Sequence, residues 1–251
     1  MLQNLPYRAK SAYAAAAHGV GKGLVAIHLM SPQVPARTHR LRHWGHSLVV
    51  VFDSAALSEL DVPWWTYDAI DVVEGWLRAR ADALDRPLRV FEYGSGASTL
   101  WLAKRVGEVH SVEHHQGFAD TMRPLFEEHE NIDFLVRHAV PSTSPKVPSH
   151  KPSHKDMDFA EYVATIDEVG GEFDLIVIDG RAREACLTAA MPHLADGGLI
   201  VYDNTHRKRY KRAVAASGLE ECVYTGLTPT LPYPDRTSLL RKAGTPSPDT
   251  A

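Results

Sequence analysis

The chain reads as an α/β protein with a doubly wound, mostly parallel sheet, and three observations predict it. From residue 88 onward, short apolar runs alternate with stretches of helical period, the pitch that βαβ crossovers produce. Two of those runs, FDLIVID (173–179) and GLIVYD (198–203), are apolar on both faces, as strands covered by helices on each side must be. A third run, LRVFEY (88–93), passes directly into a glycine pair and a helix start, a junction where such sheets bring backbone close to a ligand.

The elements follow in order. Ser47–Phe52 (SLVVVF) has strand character, and Pro63 precedes an aromatic cluster of Trp64, Trp65 and Tyr67. Between Asp68 and Ala83, Ile70, Val73, Trp76, Leu77 and Ala81 recur at helical spacing, and a turn at Asp85–Pro87 ends that helix. The first strand, 88–93, leads to a helix over 98–106, whose Ser98 and Thr99 are good cap formers. A strand over 108–113, a helix over 117–129 and a strand over 132–140 follow. Helices over 159–169 and 184–194 flank the strand 173–179, and 198–203 is the next strand. Glu221–Thr225 and Ser238–Lys242 then read as two strands with no helix between them, an antiparallel pair at the sheet edge.

At 251 residues and 44% hydrophobic, the chain can bury one sizeable core. It divides into an N-terminal helical or extended segment (1–67), a main domain (68–242) and a Pro/Ser/Thr-rich tail (243–251) expected to be disordered. With 27 basic against 31 acidic residues the charge is too balanced for a general polyanion binder, and no nucleic-acid partner is expected. Cys186 and Cys222 lie far apart without CxxC spacing, so neither a disulfide framework nor a zinc site is indicated. No apolar run reaches the roughly 18–20 residues that cross a bilayer, and the protein is expected to be soluble and cytoplasmic. The alanine-rich stretch Tyr7–Met30, in a segment without acidic residues, is a helix packed on the main domain, a peripheral membrane contact or a targeting sequence. Residues 141–155 (PSTSPKVPSHKPSHK) form a long aperiodic loop, which inside a compact domain is a functional lid or a disordered segment.

The chemistry is concentrated after the first strand, in Glu92, Tyr93, Gly94, Ser95, Gly96, Ala97, Ser98 and Thr99. The two glycines permit a tight turn and close approach of a ligand, and free N–H groups beyond them suit a carboxylate or phosphate. A dinucleotide-binding loop places a third glycine where this chain has Thr99, which disfavours a nicotinamide cofactor. Glu113 closes the second strand where a doubly wound fold grips a ribose, and a carboxylate accepts from both ribose hydroxyls.

VFEYGSGASTLWLA (90–103), SVEHH (111–115), FDLIVIDGRARE (173–184) and LADGGLIVYDNTHR (194–207) together resemble the class I methyltransferases that use S-adenosylmethionine, over roughly residues 88–242. The resemblance is nearest to members with an EYGSG-type loop and a late segment like LPYPDRTSLL (231–240). It implies a seven-stranded, Rossmann-like sheet with a reversed final hairpin. It also implies that Glu92, Gly94 and Gly96, with Tyr93 and Ser95 in the same loop, line the methionine end of the cofactor. Ser98 and Thr99 would lie near the cofactor's carboxylate, Glu113 on the ribose and His114 beside the adenine. Ser98 stands where many members have a third glycine.

Asp179, Asp203 and Asn204 end two further strands and are similar in placement to the ligands of metal-dependent O-methyltransferases, so a magnesium ion is a second candidate cofactor. Without metal, Asp179 and Asp203 are expected to cap helices or touch substrate. His206 is the best placed base for a hydroxyl acceptor. Arg181 and Arg183 are either clamps for an anionic acceptor or solvated first-turn residues, and Trp64, Trp65 and Tyr67 either wall an acceptor site or pack in the core. The basic run Arg207–Arg212 reads as a solvated helix face. The expected function is methylation of oxygen on a small molecule or glycan. The alternatives are a nicotinamide-dependent oxidoreductase and a non-catalytic nucleoside-binding scaffold.

Overall fold

The structure is a computed structural model, which describes residues 15–17, 19–21, 33–50 and 59–250. Its strands are β1 (Arg89–Tyr93), β2 (Glu108–Glu113), β3 (Ile132–Val136), β4 (Val140–Pro141), β5 (Met157–Asp158), β6 (Phe173–Ile178), β7 (Leu194–Asp203), β8 (Glu220–Gly226) and β9 (Asp235–Arg241). Its helices are α1 (Arg40–Ser47), α2 (Tyr67–Ala83), α3 (Ala97–Ala103), α4 (Gln116–Phe126), α5 (Ala160–Val169), α6 (Arg183–Ala190) and α7 (Lys208–Ser217).

Seven strands form one sheet in the order β3-β2-β1-β6-β7-β9-β8. All its pairs are parallel except those of β9, which runs antiparallel to both β7 and β8. This is the doubly wound sheet with a reversed C-terminal hairpin. The alternation along the strands explains the layers. Val90, Leu175, Val177, Leu199, Val201 and Leu239 face one side, where they pack with Trp65, Trp101 and the α2 stripe Ile70, Val73 and Leu77. Phe91, Tyr93, Ile176, Ile178, Ile200 and Tyr202 face the other, against Tyr162 and Ile166 of α5, Leu187 of α6 and Tyr210 of α7.

The chain winds outward through β1, β2 and β3, then crosses back to continue with β6 and β7 on the other side of β1. The strand order therefore reverses between β1 and β6, and loops leaving their carboxyl ends diverge around a crevice.

The structure corrects the reading of Ser47–Phe52 as a strand. Ser47 ends α1 and Leu48–Val50 form a 3₁₀ turn, while 51–52 lie outside the described residues. A short apolar run fits strand and buried helix equally, and here tertiary contacts decide. Trp44 Nε1 donates to Leu231 O (2.9 Å), Ser47 Oγ accepts from Thr230 N (2.9 Å), and His43 Nδ1 lies 2.7 Å from the Tyr67 hydroxyl. The strand predicted over 132–140 ends at Val136, and Val140–Pro141 instead pairs with Met157–Asp158. Of the stretch 7–30, residues 15–17 and 19–21 are helical and the rest lies outside the described residues. In the tail, Pro248–Thr250 form a 3₁₀ turn and the Tyr224 hydroxyl donates to Asp249 (2.6 Å).

Candidate functional site

The site is built on the point where β1 and β6 touch. Gly94 has φ +96, and a Cβ there would lie 2.6 Å from Gly180 Cα, so a side chain at this position would drive the two strand ends apart. Gly94 N donates to Val112 O (2.9 Å) and Asp179 N to Tyr93 O (3.0 Å), which ties the ends of three strands together.

Beneath the loop sits Glu92, fully buried, accepting from the hydroxyls of Ser98, Thr99 and Ser111. Thr99 Oγ1 in turn accepts from Gly96 N (2.9 Å). The threonine that occupies the place of a third glycine is thus a clip that holds the loop to the strand below. Glu92, Tyr93 and Thr99 do not line the cleft: Tyr93 packs against α5, donating its hydroxyl to Val163 O (2.7 Å), and Glu92 and Thr99 hold the loop from underneath. Gly94, Ser95, Gly96 and Ser98 do line it.

Burial pushes Glu92 up to about 7, against the three hydroxyls that favour its charge. A carboxyl raised in the folded state contributes stability that is complete below its unfolded pKa and is lost as pH rises through the folded one. Between about pH 4.5 and 7, wild type should therefore lose roughly 3 kcal/mol relative to Glu92→Gln. Urea unfolding of both proteins across that window measures the difference; parallel pH profiles would refute it.

Glu113, at the end of β2, is 4% exposed. Its Oε1 accepts from the backbone of His114 (2.8 Å) and His115 (2.7 Å), and the His114 ring lies 2.7 Å away. Its Oε2 has only a 3.4 Å contact from Ser95 Oγ. Burial opposes the charge, but the His114 ring and the two amides outweigh it and hold the carboxylate below its ordinary range. The group is a fixed, charged acceptor with one oxygen turned toward the cleft.

At the far side, Arg183 of α6 is buried between the ends of β6 and β7. It donates to Asp179 Oδ1 (2.6 Å) and to the carbonyls of Asp179 (2.5 Å), Gly180 (3.1 Å) and Asp203 (2.6 Å). Asp203 accepts from Thr237 Oγ1 (2.7 Å) and from Asn204 Nδ2 (2.6 Å), and that same amide donates to Asp235 Oδ2 (2.9 Å). Burial and then the neighbouring Asp179 push Asp203 well above the usual carboxylate range. Burial raises Asp179 as well, with Arg183 pulling against it.

The residues proposed for a divalent ion do not fit one. A guanidinium neutralises the acids, and Asn204 turns its N–H groups, not its oxygen, toward them. Among the described residues no group of three or more His, Cys, Asp or Glu is arranged to hold a metal. Arg183, read as a clamp or a solvated residue, is neither.

His206 lies just beyond, its side chain 52% exposed on the cleft rim, with Nδ1 2.9 Å from Asp235 Oδ1. Asp235 is 5% exposed and also accepts from Arg236 N (2.8 Å). Because both Asp235 oxygens act as acceptors, the hydrogen belongs on Nδ1 of His206, which leaves Nε2 as the basic nitrogen. Asp235 carried no signal in the sequence beyond its position in the late segment 231–240.

The cleft between these groups has a volume of about 960 Å³. Residues 141–155, read as lid or disorder, bring Ser149, His150, Lys151 and His154 to its wall. Asp158 anchors the base of the loop by accepting from the backbone of Lys146 (2.8 Å), Val147 (3.0 Å) and Ala160 (3.0 Å). His114 packs against His154 (centroids 5.8 Å) and Phe159 (5.6 Å). Of the aromatic cluster, Trp64 lines the cleft, whereas Trp65 and Tyr67 are core residues and Trp65 packs edge-on to Trp101 (5.8 Å).

Residues 91–205 match the model of a family described as a methyltransferase domain. No curated protein matches the chain. Among solved structures, the chain is similar to precorrin-6y C5,15-methyltransferase from Geobacter metallireducens GS-15, at 13% identity over 70% of this chain and 87% of that one, with a TM-score of 0.47. An rRNA methylase from Streptococcus thermophilus gives 14% identity over 69% and 95%, with a TM-score of 0.48. A Streptococcus mutans protein solved in complex with SAH gives 12% over 68% and 96%, with a TM-score of 0.46. The matched residues span the glycine loop, Glu113 and the ends of β6 and β7, so this part of the chain is similar to a methyltransferase domain.

Proposed function

We propose that the protein methylates a hydroxyl oxygen on a small molecule or glycan, with the adenosine end of the cofactor on the Glu113 side of the cleft and the acceptor on the His206 side. The residues present fit the cofactor: Gly94 to Ser98 leave an open backbone cradle, and Glu113 turns a weakly engaged carboxylate oxygen toward it. When bound, S-adenosylmethionine supplies a methyl group already activated on a sulfonium, so the protein's main task is alignment. Glu113 would accept from the ribose hydroxyls, Ser95 and Ser98 would border the amino-acid end, and His114 would lie beside the adenine.

The observation that carries the oxygen reading is the His206–Asp235 pair on the cleft rim. A hydroxyl must lose its proton as its oxygen bonds to the methyl carbon, and a neutral imidazole with a free Nε2 is suited to take it. Trp64 offers an aromatic face for a ring or sugar. No step is assigned to a metal, since the acids at the ends of β6 and β7 already hold Arg183.

Transfer of labelled methyl from S-adenosylmethionine to a panel of phenols, sugars and short peptides tests the reading. Oxygen-methylated phenols or sugars are expected, and transfer to peptide nitrogen alone would overturn it. Glu113→Gln keeps an acceptor for the two amides but loses the charge, and should weaken S-adenosylhomocysteine binding about tenfold or more in calorimetry. Unchanged affinity would remove Glu113 from the ribose.

A further inference from the structure

Arg181 follows Gly180 at the junction of β6 and α6 and lines the cleft. Among the described residues its guanidinium makes no ion pair, and its Nε is buried with no hydrogen-bond partner. Neighbouring arginines are different. Arg183 is held by Asp179 and three carbonyls, and Arg209 lies 3.4 Å from Glu184. A buried charge is ordinarily paired, because leaving water without a partner is strongly unfavourable. Among the described residues Arg181 is therefore a half-buried cation with no ion-pair partner, open to one that enters the cleft.

Two further cations, Arg183 and Lys151, lie around it. The loop 149–154 brings Lys151 and His154 to the same wall. The His154 ring is pushed down to about 4, by burial first and then by the charges of Arg181 and Lys151. Burial and the Arg183 cation likewise pull Arg181 down. Of the acids around it, Asp179 is bonded to Arg183 and Glu184 is shared by Arg209 and His150, while Glu113 acts on Arg181 through space without an ion pair.

We propose that Arg181, with Lys151 from the loop 141–155, forms an anion subsite that receives a carboxylate or phosphate group of the methyl acceptor. A planar guanidinium can grip such a group through two parallel N–H bonds, which fixes its orientation as well as its place. The acceptor is then an acidic molecule with a hydroxyl within reach of His206, such as a hydroxy acid, a uronic acid or a phosphorylated sugar. This rests on the methyl-transfer reading for the identity of the bound molecule. The anion has a second possible source, the cofactor's own carboxylate, which the loop 95–98 already accommodates in that reading.

Calorimetric titration of inorganic phosphate and of acetate into the full chain separates these cases. The proteins are wild type, Arg181→Met, Lys151→Met and, as a control, the exposed Arg212→Met, each free and saturated with S-adenosylhomocysteine. Wild type and the control are expected to bind at least one anion in both states, and Arg181→Met to bind it about tenfold or more weakly. Arg181→Met should bind S-adenosylhomocysteine as wild type does, and its unfolding midpoint should be no lower, since it removes an unpaired charge. Equal anion affinity in Arg181→Met and wild type overturns the subsite. A variant that loses S-adenosylhomocysteine but keeps methylthioadenosine, which lacks the carboxylate, assigns Arg181 to the cofactor and overturns the acceptor role. Equal loss of both nucleosides makes it a nucleoside contact and overturns the anion altogether. If wild type fails to bind S-adenosylhomocysteine, the cofactor assignment falls instead, and the titration of the free protein still reads the anion site.

Discussion

Arg183→Met is expected to lower the unfolding free energy by about 3–5 kcal/mol, the cost of removing one partner from a buried ion pair. The guanidinium carries four hydrogen bonds that join the ends of β6 and β7, and it lies between Asp179 and Asp203. Without it, both acids face burial and each other with nothing to offset the charge. The loss should therefore depend on pH. With Arg183 absent, both carboxyls rise further in the folded state, and a raised carboxyl takes stability away as pH rises through its folded pKa. The deficit should be smaller near about pH 5 than near about pH 8. Urea unfolding at both values measures it, with the slope compared to confirm that the folded states are equally compact. A deficit under about 1 kcal/mol, in the range of an exposed pair, would show that Arg183 does not neutralise the cluster.

His206→Ala is expected to reduce kcat by about 10²–10⁴-fold with S-adenosylhomocysteine affinity unchanged, the signature of a proton acceptor that does not hold the cofactor. Asp235→Asn should move kcat in the same direction by less. An amide can donate as well as accept, so it no longer specifies which nitrogen of His206 carries hydrogen. His206 is half-exposed, so its replacement should leave the unfolding midpoint in place. A variant with full kcat would exclude His206 as the base. Parallel loss of cofactor affinity in both variants would mean that the pair shapes the cleft and takes no proton.

How far the sequence reached depended on whether a feature was local. The glycine loop was legible because Gly94-Ser95-Gly96 sits directly between a strand and a helix start, and the turn requires glycine at Gly94, whose φ is +96. Glu113 was legible because it closes a strand of fixed length. The same reading put Glu92 and Thr99 against the ligand, whereas they lie beneath the loop and hold it. Their closeness to the glycines was visible, but the direction of their side chains was not. The strand misread at 47–52 has the same origin: three valines fit either element, and the docking of Trp44 and Ser47 onto residues 230–231 chose the helix.

By itself the sequence determined the doubly wound sheet, its reversed hairpin and the glycine loop between the first strand and its helix. Those follow from periodicity and from glycine, which act over a few residues. Tertiary structure decided what each charged group does. Asp235 meets His206 from 29 positions away because β9 returns antiparallel beside β7. Arg183 takes the place proposed for a metal because α6 turns it back between two strand ends. Among the described residues Arg181, two positions earlier, has no ion pair, and its Nε has no hydrogen-bond partner. Charge pairing is a matter of a few ångströms in space and carries no period along the chain, so only the folded molecule separates the arginine held between strand ends from the one that lines the cleft.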